Sequence, residues 1–101
     1  MEHQDLLAGL IRLHILHHAA EDEIYGQWMI DELARHGYRA SPGTLYPMLH
    51  GMQARGYLES RQVRAGRVLR RLYRATPRGR AALDVAKVKV RELFRELLAE
   101  P

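Results

Sequence analysis

Two hydroxyl-proline pairs, Ser41-Pro42 and Thr76-Pro77, fix where helices can begin in the second half of this chain. A short hydroxyl side chain suits the N-cap, and proline at the first helical position gives up an N–H that has no helical acceptor anyway. Between the pairs lie two short runs, Tyr57 to Arg64 and Val68 to Ala75, on either side of Ala65-Gly66-Arg67. Gly56 ends the preceding helix, and Gly66 supplies the positive φ that a tight hairpin requires. Past residue 40 the chain is therefore expected to run helix, hairpin, helix.

The first 40 residues add two more helices. Residues 5 to 20 set Leu6, Leu7, Leu10, Ile11, Leu13, Ile15 and Leu16 almost all the way round a helix, the pattern of an element buried against two surfaces. After the acidic turn Glu21-Asp22-Glu23, a second helix from about Tyr25 to His36 is expected to bury Met29, Ile30 and Leu33, with Gly37 closing it. Only a few residues then separate it from Ser41, which is helix-turn-helix spacing. In the third helix Leu45, Leu49 and Met52 share the inner face. Thr44, Tyr46, Pro47 and His50 are left outward, where hydroxyls and an aromatic ring can meet base edges and phosphates. Pro47 cannot donate to the carbonyl of Gly43, so the helix is expected to bend there rather than break. Its first turn presents N–H groups and a positive dipole end to anions.

Charge is segregated along the chain. Residues 1–34 hold seven acids against Arg12, residues 35–80 hold eleven arginines against Glu59, and residues 81–101 balance four against four. A block whose cations are all arginine, the forked donor that matches phosphate and guanine, points to a polyanionic partner. The hairpin would carry Arg64 and Arg67 at its tip and Arg70, Arg71 and Arg74 along the returning strand. Such a ribbon is the wing of a winged helix, suited to the backbone or the minor groove.

Several classes of function find no support. With no cysteine, disulfides, thiolate metal sites and cysteine nucleophiles are excluded. No phosphate-cradling glycine loop, nucleophile-base pair or carboxylate pair suggests an enzyme, and no motif calls for a cofactor. The acidic start, and an apolar run broken by Arg12 and His14, read as neither export signal nor membrane span, which predicts a cytoplasmic protein. His14, His17 and His18 stand at helical offsets of three and four that can bring two imidazoles onto one metal. Adjacent His17 and His18 diverge by about 100° on a helix, so the expectation remains that the three bind no metal.

The last helix, from Pro77 to about Ala99, repeats apolar residues at Leu83, Ala86, Val90, Leu93 and Leu97, a heptad seam too short to persist as a free coiled coil. It is expected to pair with its own copy, together with Leu6 and Leu10 of the first helix and with Phe94. The fold expected is mainly α with a small β-hairpin (α+β): a winged helix-turn-helix over residues 1–76, and a C-terminal dimerisation helix over 77–101 that forms one compact unit with the first helix.

Tyr25-Gly26, Ser41-Pro42-Gly43-Thr44-Leu45-Tyr46-Pro47, Gly56-Tyr57-Leu58 and the run from Arg70 through Thr76-Pro77 to Gly79 resemble the PadR family of bacterial transcriptional regulators. The resemblance implies a homodimeric winged-helix repressor of double-stranded DNA, reading an inverted-repeat operator. The family's recognition positions fall on Ser41, Pro42, Gly43, Thr44, Tyr46 and Pro47, and its wing on Arg64 through Arg74. A single C-terminal helix is similar to the short form of the family. Some short members bind flat aromatic compounds between subunits, so a small-molecule inducer is a further implied partner. The chain departs from that aromatic sandwich in offering only Trp28 and Phe94. Two other readings predict different behaviour: a metal- or ligand-responsive regulator, and a winged-helix interaction module without DNA specificity.

Overall fold

A computed structural model of the chain describes residues 3–99. The order is α1 (Gln4–Glu21), α2 (Gly26–Arg35), α3 (Pro42–Ala54), β1 (Leu58–Ala65), β2 (Val68–Ala75) and α4 (Pro77–Leu97). The last two positions of the expected 77–101 unit lie outside the described residues. Among the described residues no helix is long and apolar enough to cross a membrane.

The core is built where the inner faces of all six elements meet. Ile11, Ile15 and Leu16 of α1, Met29 and Leu33 of α2, and Leu45, Leu49 and Met52 of α3 are buried against Leu58, Tyr73 and Leu83. Each such side chain contributes about 1.5–3 kcal/mol by leaving water. On α2 the expectation is corrected at Ile30, and one burial was not foreseen. Ile30 is half-buried, while Glu32, which no periodicity assigns to a core, is buried. Leu83, the first residue of the expected dimer seam, is buried in this domain's own core, because the first turns of α4 pass over α1.

The two hydroxyl-proline starts differ. Thr76 caps α4 as expected: its Oγ1 accepts the N–H of Gly79 at 3.0 Å and donates to the carbonyl of Gly56, tying the start of α4 to the end of α3. Ser41 occupies the N-cap position of α3 but makes no side-chain cap; its hydroxyl donates to Thr44 Oγ1 at 3.3 Å. The Thr44 N–H is already taken by the Ser41 carbonyl at 3.0 Å. Helix α3 runs unbroken through Pro47.

β1 and β2 pair antiparallel from Leu58 opposite Ala75 to Ala65 opposite Val68. The connecting loop is Gly66-Arg67, with only Gly66 at positive φ (64°), the pattern of a two-residue type II′ turn. Ile24 adds a one-residue third strand, exchanging both backbone hydrogen bonds with Tyr73 at 2.9 and 2.8 Å. This bridge ties the turn before α2 to the hairpin and so places α2, α3 and the wing as one body.

Candidate nucleic-acid interface

Helix α3 exposes a continuous strip: Ser41, Pro42 and Gly43 at its start, then Tyr46 and Pro47, then His50. Thr44 is half-buried, held by its bond to Ser41. Tyr46 divides between two roles. It is 37% exposed, yet the end of its ring occupies the space that a side chain on Gly26 would fill. One edge of the phenol therefore spaces α3 from the start of α2, and the other faces outward beside His50, ring centroids 6.3 Å apart.

The strip continues beyond the residues that sequence patterning marked. Gln53 follows His50 by three positions, is exposed, and accepts a hydrogen bond from Ser60 Oγ at 2.9 Å through its Oε1. Its amide group is left outward, and glutamine is a side chain suited to pairing with adenine edges. Helical spacing from Tyr46 and His50 was the signal that could have found it.

Register decides what each wing arginine does. Opposed residues in an antiparallel pair share a face, and successive residues alternate. Leu58, Ser60, Gln62 and Arg64 therefore share one face with Leu69, Arg71, Tyr73 and Ala75. This face turns towards the core and α3, and Arg71 Nη1 donates to Ser60 Oγ at 3.1 Å. Arg71 lines a cleft with His50, Gln53 and Ala54, so helix and wing form one surface. Arg70 and Arg74 lie on the opposite face. Arg74 Nε bonds Glu59 Oε1 at 2.6 Å, and the Arg70 guanidinium sits 4.2 Å from the centre of the Tyr25 ring. Arg61, on that same face, grips Glu23 through two bonds of 2.8 and 2.7 Å, holding the Glu23 carboxyl below its ordinary pKa chiefly through that bond. The five arginines expected to act together are thus split. Arg71 remains with α3, Arg64 and Arg67 stand exposed at the tip with no partner among the described residues, and Arg70 and Arg74 are engaged behind.

Two further groups of expected residues take different places. Leu6 and Leu10 are exposed on α1, as are Val90, Leu93, Phe94 and Leu97 on α4, and Ala86 is half-buried. Leu10, Leu83, Val90 and Phe94 line an apolar groove of about 730 Å³ between α1 and α4. Of the three histidines, His17 turns aside to Glu21, Nε2 to Oε1 2.9 Å, and His36 takes its place in a cluster with His14 and His18. Burial, and then the neighbouring histidines, lower the pKa of His14 and His18 below the ordinary value.

Residues 15–85 match the family described as "Transcriptional regulator PadR-like family". The chain is 57% identical over 88 residues to the transcriptional regulator Rv3488 of Mycobacterium tuberculosis, an alignment covering 87% of this chain and 82% of that protein. Its fold is similar to that of a PadR family regulator from Eggerthella lenta, with a TM-score of 0.82 and 26% identity over 96% of this chain and 88% of that one. A PadR-like regulator from Bacillus cereus gives 0.81 and 26% over 96% and 99%. The chain belongs to the PadR-like family of transcriptional regulators.

Proposed function

We propose that this regulator binds DNA sequence-specifically as a homodimer and acts as a repressor at an inverted-repeat operator. The observation carrying this reading is that Arg71 on the wing and His50 and Gln53 on α3 border one cleft, while the acidic partners Glu23 and Glu59 neutralise arginines on the opposite face. Arg71 beside α3, and Arg64 and Arg67 at the tip, keep their charge without a carboxylate partner among the described residues, within reach of a duplex that α3 could enter.

In this reading the outward residues of α3, with Tyr46 and Gln53 foremost, read base edges. Arg64, Arg67 and Arg71 hold phosphates. The Gly43 N–H, left without a backbone acceptor among the described residues at the start of α3, takes another phosphate. Two copies joined through α1 and α4 would seat their α3 helices about one helical turn apart, or a multiple of it, roughly 10 bp per turn. Support for the pairing comes from α4, where every described residue from Lys87 to Ala99 is exposed although the stretch contains Val90, Leu93, Phe94 and Leu97. A water-facing helix of that length and composition is marginal alone.

The test is fluorescence anisotropy on the DNA upstream of the chain's own gene, against scrambled duplex, over a series of salt concentrations. With about four phosphates neutralised per subunit, log affinity should fall against log salt with a slope near −7. A slope near −1, or equal affinity for scrambled DNA, would favour the interaction-module reading instead.

A further inference from the structure

His14, His18 and His36 form a cluster where α1 meets the end of α2. His14 and His18 are one helical turn apart on α1, so their rings stand on the same face, near-parallel at 14° with centroids 6.4 Å apart. His36, the residue after α2, brings its ring to 4.9 Å from that of His14. One ligating atom from each of the three lies within 4.8 Å of the others. Ligands of a tetrahedral zinc ion, each about 2.0–2.1 Å from the metal, stand about 3.4 Å apart, so small rotations of side chains already on the right faces would close the site.

A buried acid on α2 stands one helical turn before His36. Glu32 is 7% exposed, its Oε1 accepts from Arg35 at 3.2 Å, and its Oε2 is buried with no hydrogen-bond partner. An orphaned carboxylate oxygen is costly in a dry environment, and the four-residue offset from Glu32 to His36 sets the two on the same side of α2. The edges of Tyr38 against His14 and of Trp28 against His18, each at 5.3 Å between ring centres, hold the imidazoles in place. His17 packs its ring edge-on to that of His18, centroids 4.9 Å apart, but gives its Nε2 to Glu21 at 2.9 Å.

We propose that His14, His18 and His36 together bind a borderline divalent cation such as Zn²⁺, with Glu32 as the compensating charge beside them. Three imidazoles without thiolates suit zinc and its first-row neighbours, and they leave a fourth position for water, an arrangement of exchangeable rather than permanent binding. The ion would join α1 to the end of α2, immediately before the Gly37 turn that sets the direction of α3. His14 also lines the groove between α1 and α4, so the same ion would lie at the edge of the apolar face.

The site does not depend on DNA recognition and is tested without DNA. Untagged full-length protein, stripped with a chelator and dialysed, is titrated with zinc against a chromophoric competitor, and with Co²⁺ followed by its visible absorption. One equivalent per chain and an intense tetrahedral Co²⁺ band are expected. His14→Ala and His36→Ala should each weaken binding by about 100-fold or more, and Glu32→Gln by less than about tenfold, because Glu32 bonds none of the three imidazoles and acts through its charge alone. His17→Ala should bind as the wild type does. His36 is exposed, so its replacement leaves the core intact and circular dichroism should be unchanged. Absence of stoichiometric binding, wild-type affinity in His36→Ala, or equal loss in His17→Ala would each overturn the proposal.

Discussion

The phenol of Tyr46 lies in the space where a side chain on Gly26 would have to go. The two residues are 20 apart in sequence and meet where the start of α2 packs on α3. A methyl group at Gly26 would meet the hydroxyl and the adjoining ring carbons, so Tyr46 would have to swing outward and α3 would lose its spacer. Gly26→Ala should cost about 1–3 kcal/mol, the usual range for overpacking. For a domain of this size each kcal/mol lowers Tm by about 4–8 °C. In a Tyr46→Leu background the same change should cost clearly less, because the obstructing ring end is gone. Thermal unfolding of the four proteins gives the coupling; strict additivity would mean that the ring is not held against Gly26.

The two faces of the wing should be separable in binding experiments. Arg67→Ala and Arg71→Ala each remove a cation from the tip or the α3 side, and each should weaken binding to specific and scrambled DNA alike while making the salt slope about one unit less steep. Arg74 is already satisfied by Glu59 on the opposite face, so Arg74→Ala should leave that slope unchanged. Anisotropy at several salt concentrations distinguishes these outcomes, and a slope change for Arg74→Ala equal to that for Arg71→Ala would show that both faces meet DNA.

The legible parts of this fold were those decided within a few residues. Gly37, Gly56 and Gly66 mark their turns because each takes the positive φ that L side chains resist, and Pro42 and Pro77 mark helix starts. Ser41 and Thr76 look alike in sequence but cap differently, because each choice depends on which nearby groups are already bonded. The split of the arginines could have been inferred from strand alternation once Tyr73 was placed inward, since Arg71 shares its parity and Arg70 and Arg74 do not. His36 could not have been joined to His14 and His18 from local spacing. Their meeting depends on how α2 crosses α1, as does the burial of Glu32. Leu83 fits a heptad perfectly well, but its helix begins inside the domain, so the first repeat belongs to the core.

The Glu23 and Arg61 pair gives a directional pH expectation. The bond from Arg61 lowers the Glu23 pKa in the folded chain, so whatever the pair contributes to stability is fully present above the ordinary carboxylate range. It is lost as pH falls through the titration of Glu23, and it does not vary around neutrality. Carboxyl-detected NMR should show Glu23 titrating at lower pH than an ordinary glutamate, and Arg61→Ala should return it to the ordinary range. A Glu23 titration unmoved by Arg61→Ala would place the cause elsewhere.

The apolar seam on α4 should behave as an interface on one side only. Leu93 is exposed, and it stands on the same stripe as Val90, Phe94 and Leu97, whereas Val88 is exposed about half a turn away round the helix. If two copies meet along the stripe, Leu93→Glu buries a carboxylate against its copy and should give a monomer by light scattering, while Val88→Glu should remain dimeric. Loss of the partner also leaves the outer turns of α4 without a packing surface, so helical content should fall in the monomer. With only one subunit on the duplex, the salt slope should drop to about half its wild-type value, since half the phosphate contacts are gone. A Leu93→Glu protein that stays dimeric, or a Val88→Glu protein that dissociates, would place the subunit contact on another face of the molecule.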